Sequence, residues 1–314
     1  MKILYKNGNV KNCKTNEAFD RNEILQVKIV TSDNEELNEI SKLFDIDLSP
    51  FQIREDIEIS SHYIDVANQL TLNLNIPVGF KDEKVEEENI HFIVKHDIVF
   101  VFFTKSVDEM IEQLTELRYD SGLLKFNSHL ELLVFQLGTI SDYFADLVEL
   151  IASKVRGTYF SILNTTTVSD DNLDRLTHYN FSNFLLRESL SEFHRIILLL
   201  RRKFIANRII SDKLELETND LNVISEHIQY NFERVSDLKS NLDSKIELEQ
   251  NKIFKTLTMI TFCVSIPTLI AGVYGMNFKY MPVLELTYGY PMIMVVIILS
   301  LILPLGYFYA KKWF

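Results

Sequence analysis

Two stretches near the C-terminus, Thr256–Phe278 and Tyr288–Ala310, contain no Asp, Glu, Lys, Arg or His, and each runs for 23 residues. As helices rising about 1.5 Å per residue they would span roughly 34 Å, enough for the hydrocarbon core of a bilayer. Both are predicted to be transmembrane helices. A buried hairpin in a soluble core is the alternative, and it fits less well because core helices rarely run so long without a charge.

Topology follows from the flanks. The N-terminus, MKILYKNGNV, has neither the apolar central run nor the small-residue cleavage site of an export signal. The first 250 residues are therefore expected to be cytoplasmic. Lys252 and Lys255 precede the first span and Lys311 and Lys312 follow the second, as the positive-inside bias requires when two spans return the chain to its starting side. Only the linker Lys279–Thr287, too short to fold alone, would lie outside. Cys13 and Cys263 imply no disulfide.

Up to about residue 105 the chain reads as an α/β domain. The runs LTLNLNI (70–76), IHFIVK (90–95) and IVFVFFT (98–104) are strand-like, and Ser32 with Glu35 and Ser106 with Glu109 have capping-box spacing. After Gly157 no Gly or Pro recurs until Pro267, which predicts long helices through a region 106–211 and beyond. Leu221, Ile224, Ile228, Phe232, Val235, Leu238, Leu242 and Ile246 form one helix face. With no breaker before the first span, Asp212–Tyr274 is expected to be one helix of roughly 95 Å. The expected divisions are a stalk over 212–252, spans over 253–278 and 288–310 joined by the loop 279–287, and a basic tail over 311–314. Packing of the stalk stripe against copies of the chain is the simplest expectation; packing against the preceding helices is the alternative.

The first span carries a second pattern. Asn251, Thr258, Thr261, Ser265, Thr268, Gly272 and Gly275 recur at helical spacing, with Phe254 filling the gap. The second span offers only Ser300, Pro304 and Gly306 among its aliphatic residues. The first helix is thus expected to face protein or water, and the second lipid. Small residues also let membrane helices pack closely. A water-lined face needs several copies, because one hairpin cannot enclose a pore.

The segment YGMNF (274–278), at the outer end of the first of two C-terminal spans, resembles the signature of the CorA-type magnesium transporter family, the two-transmembrane GMN family. IAGVYGMNF, the following YMP and GYP, and the terminal KKWF extend the likeness. Upstream, PFQIREDIEISSHYIDVANQLTLNLNIP and LLVFQLGTISDYFADLVELI resemble the family's α/β and helical segments. The resemblance implies a funnel-shaped homopentamer in the cell's inner membrane, with both termini cytoplasmic. It implies an outer selectivity site at Gly275, Met276 and Asn277, a cytoplasmic neck at Asn251, and pore-facing positions at Phe254, Leu257, Ser265 and Thr268. The implied cargo is Mg2+, with Co2+ or Ni2+ as further candidates, and the partners are these ions, lipids and copies of the chain rather than nucleic acid. Family members also close when Mg2+ occupies acidic cytoplasmic sites; Glu217 and Asp220 are the candidates here, and the run Asp82–Glu88 reads as a solvated loop.

The chemistry of the residues agrees. Asn277 offers a carbonyl oxygen to a cation's water shell, and Gly275 leaves backbone carbonyls uncovered. Both residues also suit a helix C-terminal stop. Magnesium gives up water reluctantly, so neutral oxygens would select it hydrated. Neither span holds a carboxylate to compensate a stripped ion. No GxxxxGK[ST] loop is present, and none is needed, since a divalent ion gains about 4.6 kcal/mol per 100 mV. Phe254 and Leu257 would form an apolar gate closing by dewetting. The formal charge of −12, with Glu247 and Glu249 beside the neck, suits a part that concentrates cations. Lys279 and Val283 stand where the family commonly has acids, leaving Glu285 as the loop's one carboxylate, and Ser265 replaces a bulkier residue. Two alternatives remain open. A transition-metal transporter, for zinc above all, would favour His or Cys ligands, and a membrane-anchored enzyme would need a constellation that the seven scattered histidines do not form.

Overall fold

A computed structural model describes residues 1–13, 19–30, 34–49, 63–79, 85–118, 125–164, 170–279 and 281–311. Among the described residues seven strands form one sheet: β1 (Lys2–Tyr5), β2 (Val10–Asn12), β3 (Ile24–Ile29), β4 (Tyr63–Val66), β5 (Gln69–Val78), β6 (Glu86–Lys95) and β7 (Ile98–Phe102). Their order is β2-β1-β3-β7-β6-β5-β4. Only β3 and β7 pair in parallel; every other neighbouring pair is antiparallel. Two tight hairpins close it. Ala67 and Asn68 (φ 53° and 59°) join β4 to β5, and His96 and Asp97 (φ 54° and 60°) join β6 to β7. Two successive positive φ values give the turn whose twist matches paired strands.

Alternation along the strands places apolar residues on both faces. Ile3, Val27, Ile29, Ile93, Phe100 and Phe102 pack with Ile40 and Phe44 of α1 (Asn34–Phe44). The opposite face buries Leu70, Leu72, Leu74, Ile76 and Phe92. Beyond the sheet come α2 (Lys105–Arg118), α3 (His129–Asn164), α4 (Asp170–Lys203), α5 (Arg208–Tyr274) and α6 (Gly289–Ala310). α3 lies against β3 and β7 and α4 against β5, and the Tyr143 hydroxyl of α3 donates to the Pro77 carbonyl at 2.8 Å. α2 is held by a charge cluster: Lys28 and Lys2 reach Asp108 (3.3 and 3.5 Å), and Lys2 also reaches Glu112 (2.8 Å).

The fold class is the expected one, an α/β part followed by a long helix and two C-terminal apolar helices, with several local differences. Ser106 is the second residue of α2 rather than its cap; the Val107 N–H instead meets Thr104 Oγ1 (3.4 Å). Ser32, residues 50–62 of the first upstream segment and the last three residues of KKWF lie outside the described residues. Of the acidic run Asp82–Glu88, Glu86–Glu88 are not loop but the start of β6, paired with Val78, Pro77 and Ile76; 82–84 are not described. The long helix begins at Arg208, not Asp212. Asn207 supplies its cap, accepting from the Ile210 N–H at 3.3 Å. A polar cap thus starts this helix without any Gly or Pro.

The chain divides into two compact units, Met1–Lys239 and Ser240–Phe314, the boundary falling within α5. In the first, the α5 stripe is already covered by the same chain, which corrects the expectation that copies would cover it. Leu221, Ile224, Ile228, Val235 and Leu238 are buried, and Asn231, 1% exposed, donates from Nδ2 to the Val148 carbonyl of α3 at 3.1 Å. A different stripe stays open: Ile209, Leu216, Val223 and Tyr230, seven residues apart and 64, 64, 52 and 52% exposed. Removing the α3–α5 hydrogen bond and leaving a void should destabilise the fold. Asn231→Ala is expected to cost about 1–3 kcal/mol, read as a lower melting temperature of the purified protein.

Candidate functional site

α5 and α6 each contain a segment long and apolar enough to cross a membrane. Where they meet, Phe262 makes an edge contact with Phe308 (ring centroids 6.1 Å apart, 80° between planes). Met259 and Cys263 are buried, 2 and 3% exposed. At about 100° per residue these two sit nearly half a turn round the helix from Thr261, Ser265, Thr268 and Gly272. The small polar stripe therefore points away from the buried side. Asn251, Phe254, Leu257, Thr258, Thr261, Ser265 and Thr268 are all exposed in the single chain. An open groove of about 770 Å³ has walls that include Thr261, Ser265, Thr268, Gly272 and Met276, so the stripe and the first side chain past the helix end share one surface.

The hydroxyls of that stripe are chemically one-sided. Thr258 donates to the Phe254 carbonyl (2.8 Å), Thr261 to Leu257 (2.9 Å), Ser265 to Phe262 (3.0 Å) and Thr268 to Val264 (2.7 Å). Each proton is held by the helix's own backbone, and what faces outward is an oxygen lone pair. Water bound to a cation points its hydrogens outward; water around an anion points them inward. A row of acceptors thus suits the shell of a hydrated cation and repels that of an anion. Sequence alone shows hydroxyls, but not which way their protons go.

Gly275, Met276 and Asn277 follow α5 directly and are exposed. The Gly275 N–H completes a helical bond to the Ala271 carbonyl at 2.8 Å. Gly275 is not among the positive-φ glycines, so it does not make the left-handed helix stop that glycine usually provides. An added Cβ would lie 3.1 Å from the Ala271 oxygen, a tight contact, and 3.7 Å from that of Gly272, an ordinary one. The glycine lets the last carbonyls of the helix stay uncovered. The loop after it is not shapeless, for Pro282–Glu285 form a 3-10 turn. Gly289, to which sequence reasoning gave no role, is buried against that turn.

Residues 23–312 match the profile of the CorA-like Mg2+ transporter protein family. The chain belongs to that family. It is 30% identical over 303 residues to the magnesium transport protein CorA of Campylobacter jejuni strain RM1221, covering 92% of this chain and 91% of that one. It is 27% identical over 299 residues to the magnesium transport protein CorA of Wolinella succinogenes, again covering 92 and 91%. Its fold is similar to the complete structure of the CorA magnesium transporter from Methanocaldococcus jannaschii, with a TM-score of 0.77, 95% of this chain and 94% of that one covered, and 17% identity. CorA-like proteins are membrane transporters, and the reading as a membrane-anchored enzyme falls with that.

The two acidic candidates, Glu217 and Asp220, lie on α5 within the first unit. Asp220 is exposed and Glu217 half-buried. The Glu217 carboxylate rests over Gly138 of α3, where a Cβ would come 2.8 Å from its Oε1. Burial, then the charges of Asp220 and Asp142, push its pKa up from 4.5 to about 7. Among the described residues no three His, Cys, Asp or Glu side chains gather closely enough to hold a metal. Glu217 and Asp220 are thus at most part of a site within one chain.

The folded protein holds the Glu217 proton more tightly than the unfolded chain does, so its contribution to stability is fully present below pH 4.5 and is lost as pH rises through about 7. Glu217→Gln should leave the melting temperature unchanged at pH 4 and raise it by a few degrees, relative to the parent protein, at pH 8. Equal melting temperatures at pH 8 contradict this.

Proposed function

We propose that this chain assembles as a homopentamer in the cell membrane and admits hydrated Mg2+ to the cytoplasm down its electrochemical gradient. The observation that carries the reading is the row of outward acceptors on α5, on the side away from Met259 and Cys263, in a chain of the CorA-like family. The magnesium transport proteins it resembles support the choice of ion. With each copy turning this face inward, five first spans would enclose a passage lined by neutral oxygens. Gly275, Met276 and Asn277 form its outer selectivity site, Asn251 its cytoplasmic neck, and Phe254 and Leu257, 63 and 57% exposed, the apolar constriction that dewets to close it. The exposed stripe Ile209, Leu216, Val223 and Tyr230 gives the helices a heptad seam for meeting one another. Co2+ and Ni2+, whose hydrates resemble that of Mg2+ in charge, are secondary cargo.

Closure would follow occupation of cytoplasmic acidic sites by Mg2+, with Glu217 and Asp220 supplying ligands and a neighbouring copy the remainder. A zinc-selective site is not favoured, because Cys263, the one cysteine in the spans, is buried on the side opposite the stripe.

Mg2+ flux into liposomes tests the reading. Asn277→Ala is expected to lower flux roughly tenfold or more, corresponding to about 1.4 kcal/mol or more of lost stabilisation. Thr268→Val keeps the side chain's volume while removing its acceptor. It should reduce flux without changing the oligomer's size. Unchanged flux with a tighter oligomer would assign the stripe to helix packing instead.

A further inference from the structure

We propose that Gly289 is a positioning residue for transport: the close approach of its backbone to the Val283 carbonyl fixes the loop between the spans, and with it Glu285, at the outer mouth. The inference rests on the transport reading above. Gly289 is the first residue of α6 and is buried. An ideal Cβ built there would overlap the Val283 carbonyl oxygen and lie 3.1 Å from its carbon and 3.6 Å from Cγ1. The obstacle is backbone, so no rotamer change relieves it, and any side chain at 289 must displace the 3-10 turn Pro282–Glu285. The two other glycines within the apolar helices differ: a Cβ on Gly272 or Gly306 would meet nothing within 4 Å.

The contact sits in a short chain of backbone hydrogen bonds. Leu286 N–H reaches the Val283 carbonyl at 3.4 Å, Gly289 N–H the Leu286 carbonyl at 2.9 Å, and Met292 N–H the Tyr288 carbonyl at 3.1 Å. The turn is thereby fastened to the start of the second span. At its end stands Glu285, exposed and the single carboxylate between Lys279 and Thr287. A fixed carboxylate at a mouth raises the local concentration of cations. Its field decays within about 10 Å at 0.1 M salt, so its effect depends on where the turn holds it.

The test uses the full-length protein in liposomes, with Mg2+ uptake measured against concentration at low and near-physiological salt. Glu285→Gln and Gly289→Ala should each raise the apparent KM roughly twofold to fivefold with the maximal rate kept. Both should lose the salt dependence of KM. The double variant should match either single one, because both act through one carboxylate. Gly306→Ala, the same change in open space on the same helix, should behave as the parent. An unchanged KM in Gly289→Ala, or additive shifts in the double variant, overturns the proposal. If Gly289→Ala does not reach the bilayer, Pro282→Gly, which loosens the turn from its other end, is expected to give the same KM shift, and an unshifted KM there is equally fatal. Electron paramagnetic resonance between labels at Glu285→Cys and Met292→Cys, with the native cysteines removed, reads position without transport. Gly289→Ala should move or broaden that distance and Gly306→Ala should not. Should the parent protein carry no Mg2+, the transport reading fails while this distance still decides whether Gly289 holds the loop.

Discussion

Carrying a doubly charged ion through hydrocarbon without its water costs tens of kcal/mol unless charge is supplied along the way, and neither span supplies a carboxylate. On the proposed reading the ion keeps its shell, and the protein provides surfaces on which that shell can rest. The side-chain hydroxyls of α5 meet that need because their protons are already engaged by the helix backbone. The same bonds that satisfy the hydroxyls internally turn their oxygens outward as acceptors. On the proposed reading, selection by sign of charge needs no charged residue, and selection among divalent ions is assigned to Asn277 and the carbonyls beside Gly275.

This constraint explains the division of labour around α5. Met259, Phe262 and Cys263 are spent on burial and ring contact, leaving the opposite side to small polar residues. In the first unit the division repeats with different chemistry: Leu221, Ile228 and Asn231 are spent on the chain's own α3 side, while Ile209, Leu216, Val223 and Tyr230 remain free to meet a neighbour. One helix thus offers an outward stripe twice, apolar in the first unit and an acceptor row in the second. Both stripes are incomplete in a single copy, the physical argument for assembly.

Much of this was legible in the residues, for identifiable reasons. The two charge-free runs admit few interpretations, and the alternation in LTLNLNI survives as β5, with Leu70, Leu72, Leu74 and Ile76 buried on one face. The hydroxyl stripe was legible as a face, but whether it looked toward α6 or away needed the burial of Met259 and Cys263. The stalk stripe misled because periodicity shows that a face is covered, not by what. The break between α4 and α5 was hidden because Asn207, a polar cap, starts α5 without glycine or proline. For Gly275 the residues alone suggest both a helix stop and uncovered carbonyls, and for Gly289 they suggest no role. Neither has an unusual φ, and only atomic spacing shows that Gly289 answers to a nearby carbonyl, that of Val283.

The central claim is that the hydroxyl face of α5 meets water while the face with Cys263 does not. Reaction with a membrane-impermeant, charged thiol reagent measures this directly on reconstituted protein carrying Ser265→Cys or Thr268→Cys. The account predicts rapid labelling at 265 and 268 that external Mg2+ slows, with native Cys263 silent. Labelling of Cys263 while 265 and 268 stay protected would contradict it.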